Sequence, residues 1–155
     1  MRVAFDSNVL LYAELERESP KGRLARRLVV DLGGRAVVAA QVLGEMLTVV
    51  RRRLPAALPE AVKQVEDYTE ALDVVQTDAP LILLAIAFAE RHRLQFWDAL
   101  IWQASVKGRA AILLTEDMQH GFNADGMRAV NPFLAPDWPA QARDLDIGGW
   151  GPGRD

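Results

Sequence analysis

Short apolar segments alternate with longer helical patterns along this chain. Strands that alternate with helices favour an α/β fold, with a mainly parallel central sheet and helices on both of its faces. Apolar periodicity and capping residues predict the helices, and short apolar runs predict the strands. The predicted strands are 2–5, 36–39, 73–76, 110–114 and 127–130, and the predicted helices are 20–32, 41–53, 59–72, 81–91 and 97–107.

The 155 residues fit one domain with a single core. We expect this domain to span residues 1–134. Residues 135–155 are rich in Pro, Gly and Trp without periodicity, and they are expected to form an irregular C-terminal tail. The absence of cysteine excludes disulfides, thiol catalysis and thiolate metal sites, and two histidines are too few for a histidine-based zinc site.

The apolar content of the chain predicts no membrane association. Its longest apolar run, 79–89, is far shorter than the roughly 20 residues of a membrane span. No secretory signal is recognisable at the N-terminus, so we expect a cytoplasmic protein. The net charge of -3 exerts no general attraction on nucleic acid, and any such binding must come from local basic patches.

Acidic residues follow two of the predicted strands. Asp6 begins Asp6-Ser7-Asn8 after the first strand, and Asp117 ends Thr115-Glu116-Asp117 after the strand 110–114. The carboxyl ends of parallel strands share one edge of a sheet, where ligands bind. Glu45 in the helix 41–53 and Asp98, at or beside the start of the helix 97–107, can reach the same edge. Taken singly, each acid has an ordinary explanation as a helix cap or a solvated helix residue.

Four carboxylates in one crevice would strongly favour a bound cation. Two like charges about 4 Å apart repel by about 4 kcal/mol at an effective dielectric constant of about 20. Either some of the carboxylates take up protons or a cation lies among them. Without cysteine or clustered histidine the ligands are hard oxygens, which favour Mg²⁺ or Mn²⁺. Such an ion suits the hydrolysis of a phosphodiester.

The order and spacing of these acidic residues resemble the PIN domain family. The likeness covers the chain from its N-terminus to about Phe133. More narrowly, the segment 115–121 followed by Asn131-Pro132-Phe133 is similar to VapC-type toxins. The resemblance implies a metal-dependent endoribonuclease that forms a homodimer and is silenced by a cognate antitoxin protein.

The resemblance also implies roles for individual residues. Asp6, Glu45, Asp98 and Asp117 would form the acidic site, with Asn8 and Thr115 as supporting polar groups. Within that set we expect Asp6 and Asp98 to bind the metal directly, whereas Glu45 and Asp117 would position a water molecule or a second ion. Candidate contacts to RNA phosphates are the exposed arginines Arg23, Arg26, Arg27, Arg51, Arg52 and Arg53.

Two local patterns give further expectations. The helix 81–91 is apolar on nearly every side, which predicts that other elements surround it. Gly108 follows the helix 97–107, which predicts a helix end in the left-handed conformation.

Other functions remain open. The same fold could be a PIN nuclease that processes RNA or acts on DNA, or a catalytically inactive binding module. A phosphoacceptor receiver domain fits poorly, because Lys107 precedes the strand 110–114 instead of following it. A haloacid-type phosphatase would need a second aspartate where this chain has Asn8.

Overall fold

The computed structural model describes residues 1–134, and the predicted tail over 135–155 lies outside them. Within the described residues the chain forms six strands and six α-helices. The strands are β1 (Arg2–Phe5), β2 (Ala36–Ala39), β3 (Asp73–Val75), β4 (Ala110–Leu114), β5 (Asn123–Ala124) and β6 (Met127–Val130). The helices are α1 (Ser7–Leu15), α2 (Pro20–Leu32), α3 (Ala40–Arg53), α4 (Leu58–Ala71), α5 (Ala79–His92) and α6 (Phe96–Lys107), with short 3₁₀ turns at Gly33–Arg35 and Pro55–Ala57.

The predicted α/β architecture is confirmed. The strands form one sheet in the order β3-β2-β1-β4-β6-β5, parallel except for β5. The predicted helix starts at Ser19 and Asp78 are also confirmed, because each side chain accepts a hydrogen bond from the first turn that follows it. Neither α1 nor β5 is among the predicted elements.

The chain reverses its direction of travel across the sheet between β1 and β4. From β1 it moves one way through β2 to β3, and it then crosses back to β4 on the other side of β1. Right-handed crossovers therefore place α1 to α4 on one face and α5 with α6 on the other. Val3, Ala4 and Phe5 of β1 have no exposed surface, as expected for a strand covered on both faces. A reversal of this kind opens a crevice beyond the carboxyl ends of the two strands.

The prediction that other elements surround α5 is wrong for the part of the chain described. One face, with Leu81, Ala85 and Phe88, is buried against the core. The opposite face is open, with Leu83 68% exposed and Leu84 58% exposed, and Ile82 and Ile86 also exposed. A helix with apolar residues on nearly all sides is therefore covered on only one side by the described part of its own chain.

The predicted left-handed helix end at Gly108 is also wrong. Gly108 has a φ of -73°, and the left-handed residue is Arg109, with a φ of 61°. A Cβ at position 108 would lie 2.9 Å from side-chain carbons of both Val37 and Val75. Glycine is needed at this helix end because the backbone packs against β2 and β3, and not because of its φ angle.

No helix in residues 1–134 combines the length and the hydropathy that a membrane span needs.

Candidate active site

Asp6 and Thr115 lie side by side at the reversal point of the sheet. Phe5 pairs with Leu114 in the last register position of β1 and β4, so the next residue of each strand stands at the sheet edge. The Asp6 backbone N–H continues the pairing by donating to the Leu114 carbonyl at 3.0 Å. The Thr115 hydroxyl donates to Asp6 Oδ2 at 2.5 Å. Two neighbouring strands therefore deliver a carboxylate and a hydroxyl to one point.

Asp6 is also the N-cap of α1. Its Oδ1 accepts from the Ser7 backbone N–H at 2.6 Å, so the capping explanation is correct, but it does not account for the whole environment. The side chain is only 5% exposed. Burial raises the pKa of Asp6 to about 6, and the charges of Asp117 and Glu45 also raise it, while the hydrogen bonds from Thr115 and Ser7 lower it. The carboxylate is thus held in place where its charge is unfavourable.

The Asn8 side chain links the two strand-end carboxylates. Its Nδ2 donates to Asp117 Oδ2 at 3.1 Å and to Asp6 Oδ2 at 3.3 Å, and it lies 3.5 Å from the Thr115 hydroxyl oxygen. The Thr115 hydroxyl in turn accepts from the Asp117 backbone N–H at 3.1 Å. The Asn8 Oδ1 atom is buried and accepts no hydrogen bond from the described residues. The amide therefore fixes the spacing of Asp6 and Asp117 and leaves one oxygen unpaired.

Glu45 enters from α3, on the same side of the sheet as α1. Its Oε1 accepts from Gln41 Nε2 at 2.7 Å, one turn earlier on the helix. The side chain is half-buried, and its charge raises the pKa of both Asp6 and Asp98. Glu45 is therefore not a fully solvated helix residue, because it lies within electrostatic range of two other acids.

Asp98 lies in the first turn of α6, whose N-cap is Gln95. Burial raises the pKa of Asp98, and the charges of Asp117 and Glu45 raise it further. Among residues 1–134, no side chain or backbone group donates a hydrogen bond to this carboxylate. Asp117 and Glu45 therefore each lie within electrostatic range of both Asp6 and Asp98.

The crevice contains more hydrogen-bond acceptors than donors. Its ligand atoms are carboxylate and amide oxygens, which suit a hard divalent cation. One of its acceptors, the buried Asn8 Oδ1 atom, lacks a donor among the described residues. Within the same residues no group of three or more acidic or histidine side chains is placed to hold a metal ion.

A sequence model of the PIN domain family matches residues 3–122. This chain belongs to the PIN domain family. No curated protein sequence matches it. The fold of this PIN domain is shared by solved toxin structures, including VapC20 of Mycobacterium tuberculosis, which is described as a sarcin-ricin loop cleaving toxin. That protein is 20% identical, with a TM-score of 0.61 over 72% of this chain and 86% of its own.

Two solved complexes also share the fold of this PIN domain. A toxin–antitoxin complex from Klebsiella pneumoniae is 14% identical, with a TM-score of 0.63 over 84% of this chain and 98% of its own. VapBC2 from Rickettsia felis, bound to a DNA fragment from its promoter, is 15% identical, with a TM-score of 0.60 over 84% of this chain and 98% of its own. At these identities the likeness concerns the fold.

The arginines predicted to contact RNA lie in two places. On α2 of this PIN domain, Arg23 donates to the Glu18 backbone carbonyl, Arg27 lies 3.5 Å from Asp31, and Arg26 lies within electrostatic range of Tyr68. The three arginines at the end of α3 are exposed, and one of them, Arg52, lines a cleft together with Glu45.

Glu116 has partners other than those of the crevice acids. Its carboxylate accepts a hydrogen bond from the Tyr12 hydroxyl and forms an ion pair of 2.6 Å with Lys21. The Lys21 ammonium also lies over the rings of Tyr12 and Phe133, at 4.7 and 5.2 Å from their centroids. This cluster joins α1, α2 and the segment after β6. The acidic pair after β4 therefore divides, with Asp117 in the crevice and Glu116 in a structural contact.

A cleft of about 540 Å³ adjoins the crevice. Its walls come from the N-terminus of α1, one side of α3 and the first turn of α6. The lining residues are Ser7, Gln41, Gly44, Glu45, Thr48, Val49, Arg52 and Trp97. Gln41, Glu45, Thr48 and Arg52 are spaced by three and four residues on one side of α3, whereas Trp97 comes from the start of α6, which the fold brings to the same edge of the sheet.

Proposed function

We propose that this PIN domain is a metal-dependent endoribonuclease and the toxin of a type II toxin–antitoxin pair. The observation that carries the proposal is the pair of carboxylates Asp6 and Asp117, which Asn8 links beyond β1 and β4, with Glu45 within electrostatic range of Asp6 and with Asp98 within range of Asp117. The family match and the similarity in fold to known toxins support it. The description of VapC20 as a sarcin-ricin loop cleaving toxin supports RNA as the substrate class.

We propose Asp6 and Asp98 as the residues that hold a divalent cation, Mg²⁺ or Mn²⁺. Both carboxylates are held where burial disfavours their charge, so a cation would relieve an existing cost. The unpaired Asn8 Oδ1 adds a further acceptor at the same place. When bound, the ion supplies Lewis-acid polarisation of a phosphodiester oxygen and stabilises charge that develops on it.

The remaining residues position the reacting groups. Glu45 is held through Oε1 by Gln41, which leaves its other oxygen free to accept the proton of the attacking water. Asn8 and Thr115 hold Asp117 and Asp6 at fixed spacing. Attack of the water oxygen would form a new bond to phosphorus and break the bond from phosphorus to the ribose oxygen, which would leave with a proton taken from solvent.

The test compares substrates and variants under controlled metal conditions. Purified full-length protein is incubated with labelled single-stranded RNA, DNA of the same sequence, and a phosphate monoester, with EDTA, Mg²⁺ or Mn²⁺. We expect only RNA to be cleaved, only with metal, and not by Asp6→Asn or Asp98→Asn. Glu18→Gln, an exposed carboxylate in the loop between α1 and α2, is the charge-matched control and should cleave normally.

Each alternative has its own outcome. Cleavage of DNA would identify a DNA-directed PIN enzyme, and RNA binding without cleavage under any condition would identify a binding module. Growth arrest on expression, absent with Asp6→Asn and relieved by the product of a neighbouring reading frame, is expected of a toxin with a cognate antitoxin. Cleavage without growth arrest would instead favour an enzyme of RNA processing.

We propose in addition that the protein is a homodimer. The open face of α5, defined by Ile82, Leu83, Leu84 and Ile86, is a contiguous apolar surface of the kind that marks protein contacts. Changing both Leu83 and Leu84 to Glu should convert the dimer to a monomer in light scattering without loss of helix content. A wild-type protein with the mass of a monomer would refute this part of the proposal.

A further inference from the structure

The cleft beside Glu45 has the size of a small-ligand site. Its volume of about 540 Å³ falls within the roughly 300–1,000 Å³ of such sites. Ser7 and Glu45 line it, and these residues also border the carboxylate crevice. A ligand in the cleft would therefore lie directly beside the phosphodiester undergoing cleavage.

Trp97 gives the cleft an aromatic wall. Its side chain is 59% exposed, although large aromatic residues are usually well buried. The ring is packed edge to face on Phe96, with the ring centroids 5.0 Å apart, and the next residue along α6 is Asp98. Exposed aromatic rings of this kind stack on the unpaired bases of RNA, whereas bases within a duplex cannot reach them.

Arg52 gives the cleft a positive charge. It is exposed, and among residues 1–134 no carboxylate forms an ion pair with it. It lies seven residues after Glu45 on the same side of α3, about 10 Å along the helix axis. An arginine at this separation can reach a phosphate other than the one at the carboxylates. Arg53 is also exposed but does not line the cleft.

We propose that this cleft holds one unpaired nucleotide of the RNA next to the cleaved bond, with its base stacked on Trp97 and a phosphate bound by Arg52. This inference rests on the proposed action on RNA and adds a requirement for an unpaired nucleotide at a defined position. The stacked base fixes the register of the strand over the carboxylates, and stacking alone selects unpaired over paired RNA.

The test measures RNA binding without cleavage. Full-length Asp6→Asn protein is titrated with a short labelled single-stranded RNA, and each further substitution is made in that background. Trp97→Ala should weaken the Kd about tenfold, as expected for the loss of one base stack, and Trp97→Phe should restore most of the affinity. Arg109→Ala is the charge-matched control, because Arg109 precedes β4 at the opposite edge of the sheet.

The salt dependence separates the two contacts. Arg52→Ala should reduce the slope of log affinity against log salt by about 0.7, the value for one phosphate on a single strand. Trp97→Ala should leave this slope unchanged, and Arg53→Ala should have a smaller effect than Arg52→Ala. Equal effects of Arg52→Ala and Arg53→Ala would overturn the assignment of Arg52. If Trp97→Ala weakened the affinity for duplex RNA and for single-stranded RNA equally, the stacking contact would be overturned.

Failure of this inference can be distinguished from failure of the proposed function. If the wild-type protein cuts RNA but Trp97→Ala and Arg52→Ala behave like Arg109→Ala, the cleft assignment is wrong and the nuclease stands. If RNA binding depends on Trp97 and Arg52 while the wild-type protein cuts no RNA with either metal, the cleft assignment holds and the nuclease proposal falls.

Discussion

Asp6→Asn should stabilise the metal-free protein at neutral pH and destabilise it in acid. The pKa of Asp6 is raised from 3.8 to about 6 in the folded protein, mainly by burial. A pKa difference of about 2 between the folded and unfolded states corresponds to about 3 kcal/mol. Since the folded state binds the Asp6 proton more tightly than the unfolded state does, protonation of Asp6 stabilises the fold. This contribution is fully present below about pH 4 and is lost as the pH rises through about 6. Asparagine carries no charge and escapes that loss.

The substitution also has a cost. An asparagine at position 6 has one acceptor oxygen, which can serve the Ser7 backbone N–H, and its amide nitrogen then faces the Thr115 hydroxyl and the Asn8 amide. The mismatch costs about 1–2 kcal/mol at every pH. The variant should therefore be about 1–2 kcal/mol more stable than wild type near pH 8 and about 1–2 kcal/mol less stable near pH 4.

Urea unfolding in EDTA, followed by far-UV circular dichroism across this pH range, measures the difference. Glu18→Gln is the control, because exposed substitutions change stability by less than about 0.5 kcal/mol. A difference between wild type and Asp6→Asn that does not change with pH would refute the reasoning, since it would mean that the buried carboxylate carries no electrostatic cost.

Three further predictions concern the same structure. Mg²⁺ at about 100 times its Kd should raise the unfolding free energy of wild type by about 2.7 kcal/mol and leave Asp6→Asn unchanged; equal stabilisation of both would argue against Asp6 as a ligand. Thr115→Val should cost about 1–3 kcal/mol by removing a buried hydroxyl and should raise the pKa of Asp6 further, which an NMR titration would report; a lowered pKa would contradict this. Gly108→Ala should lower the unfolding free energy in urea by about 1–3 kcal/mol, because its Cβ would meet two valine side chains at 2.9 Å. Gly44→Ala, with open space around it in α3, should raise the unfolding free energy by up to about 1 kcal/mol. Similar effects of the two substitutions would refute the packing argument.

Features set by neighbouring residues were predictable from the sequence. The helix starts after Ser19 and Asp78 follow from side chains that bond to N–H groups three residues away. The placement of Asp6 at the sheet edge follows from a strand that ends one residue earlier. In each case the information lies within a few residues, so a linear pattern is sufficient.

Features set by contacts between distant elements were not predictable in this way. Gly108 is a typical helix-ending residue, but its role comes from valines of β2 and β3, which are far away in sequence. Glu116 and Asp117 are adjacent and chemically alike, yet Glu116 forms an ion pair with Lys21, whereas Asp117 accepts a hydrogen bond from Asn8. Whether an apolar face of α5 is exposed depends on which other elements pack against it, and the residues of the helix alone do not determine that packing.

The charge of Asp6 is not explained by the needs of the fold. Asparagine caps a helix about as well as aspartate, so α1 does not require a carboxylate before its first turn. In the metal-free chain, ionisation of this side chain costs the folded state about 3 kcal/mol. This net cost already includes the favourable hydrogen bonds from Ser7 and Thr115. A chain selected for stability alone would therefore gain from a neutral residue at this position. A carboxylate held at such a cost is consistent with the proposed cation site, because a bound divalent cation would offset the cost of its charge.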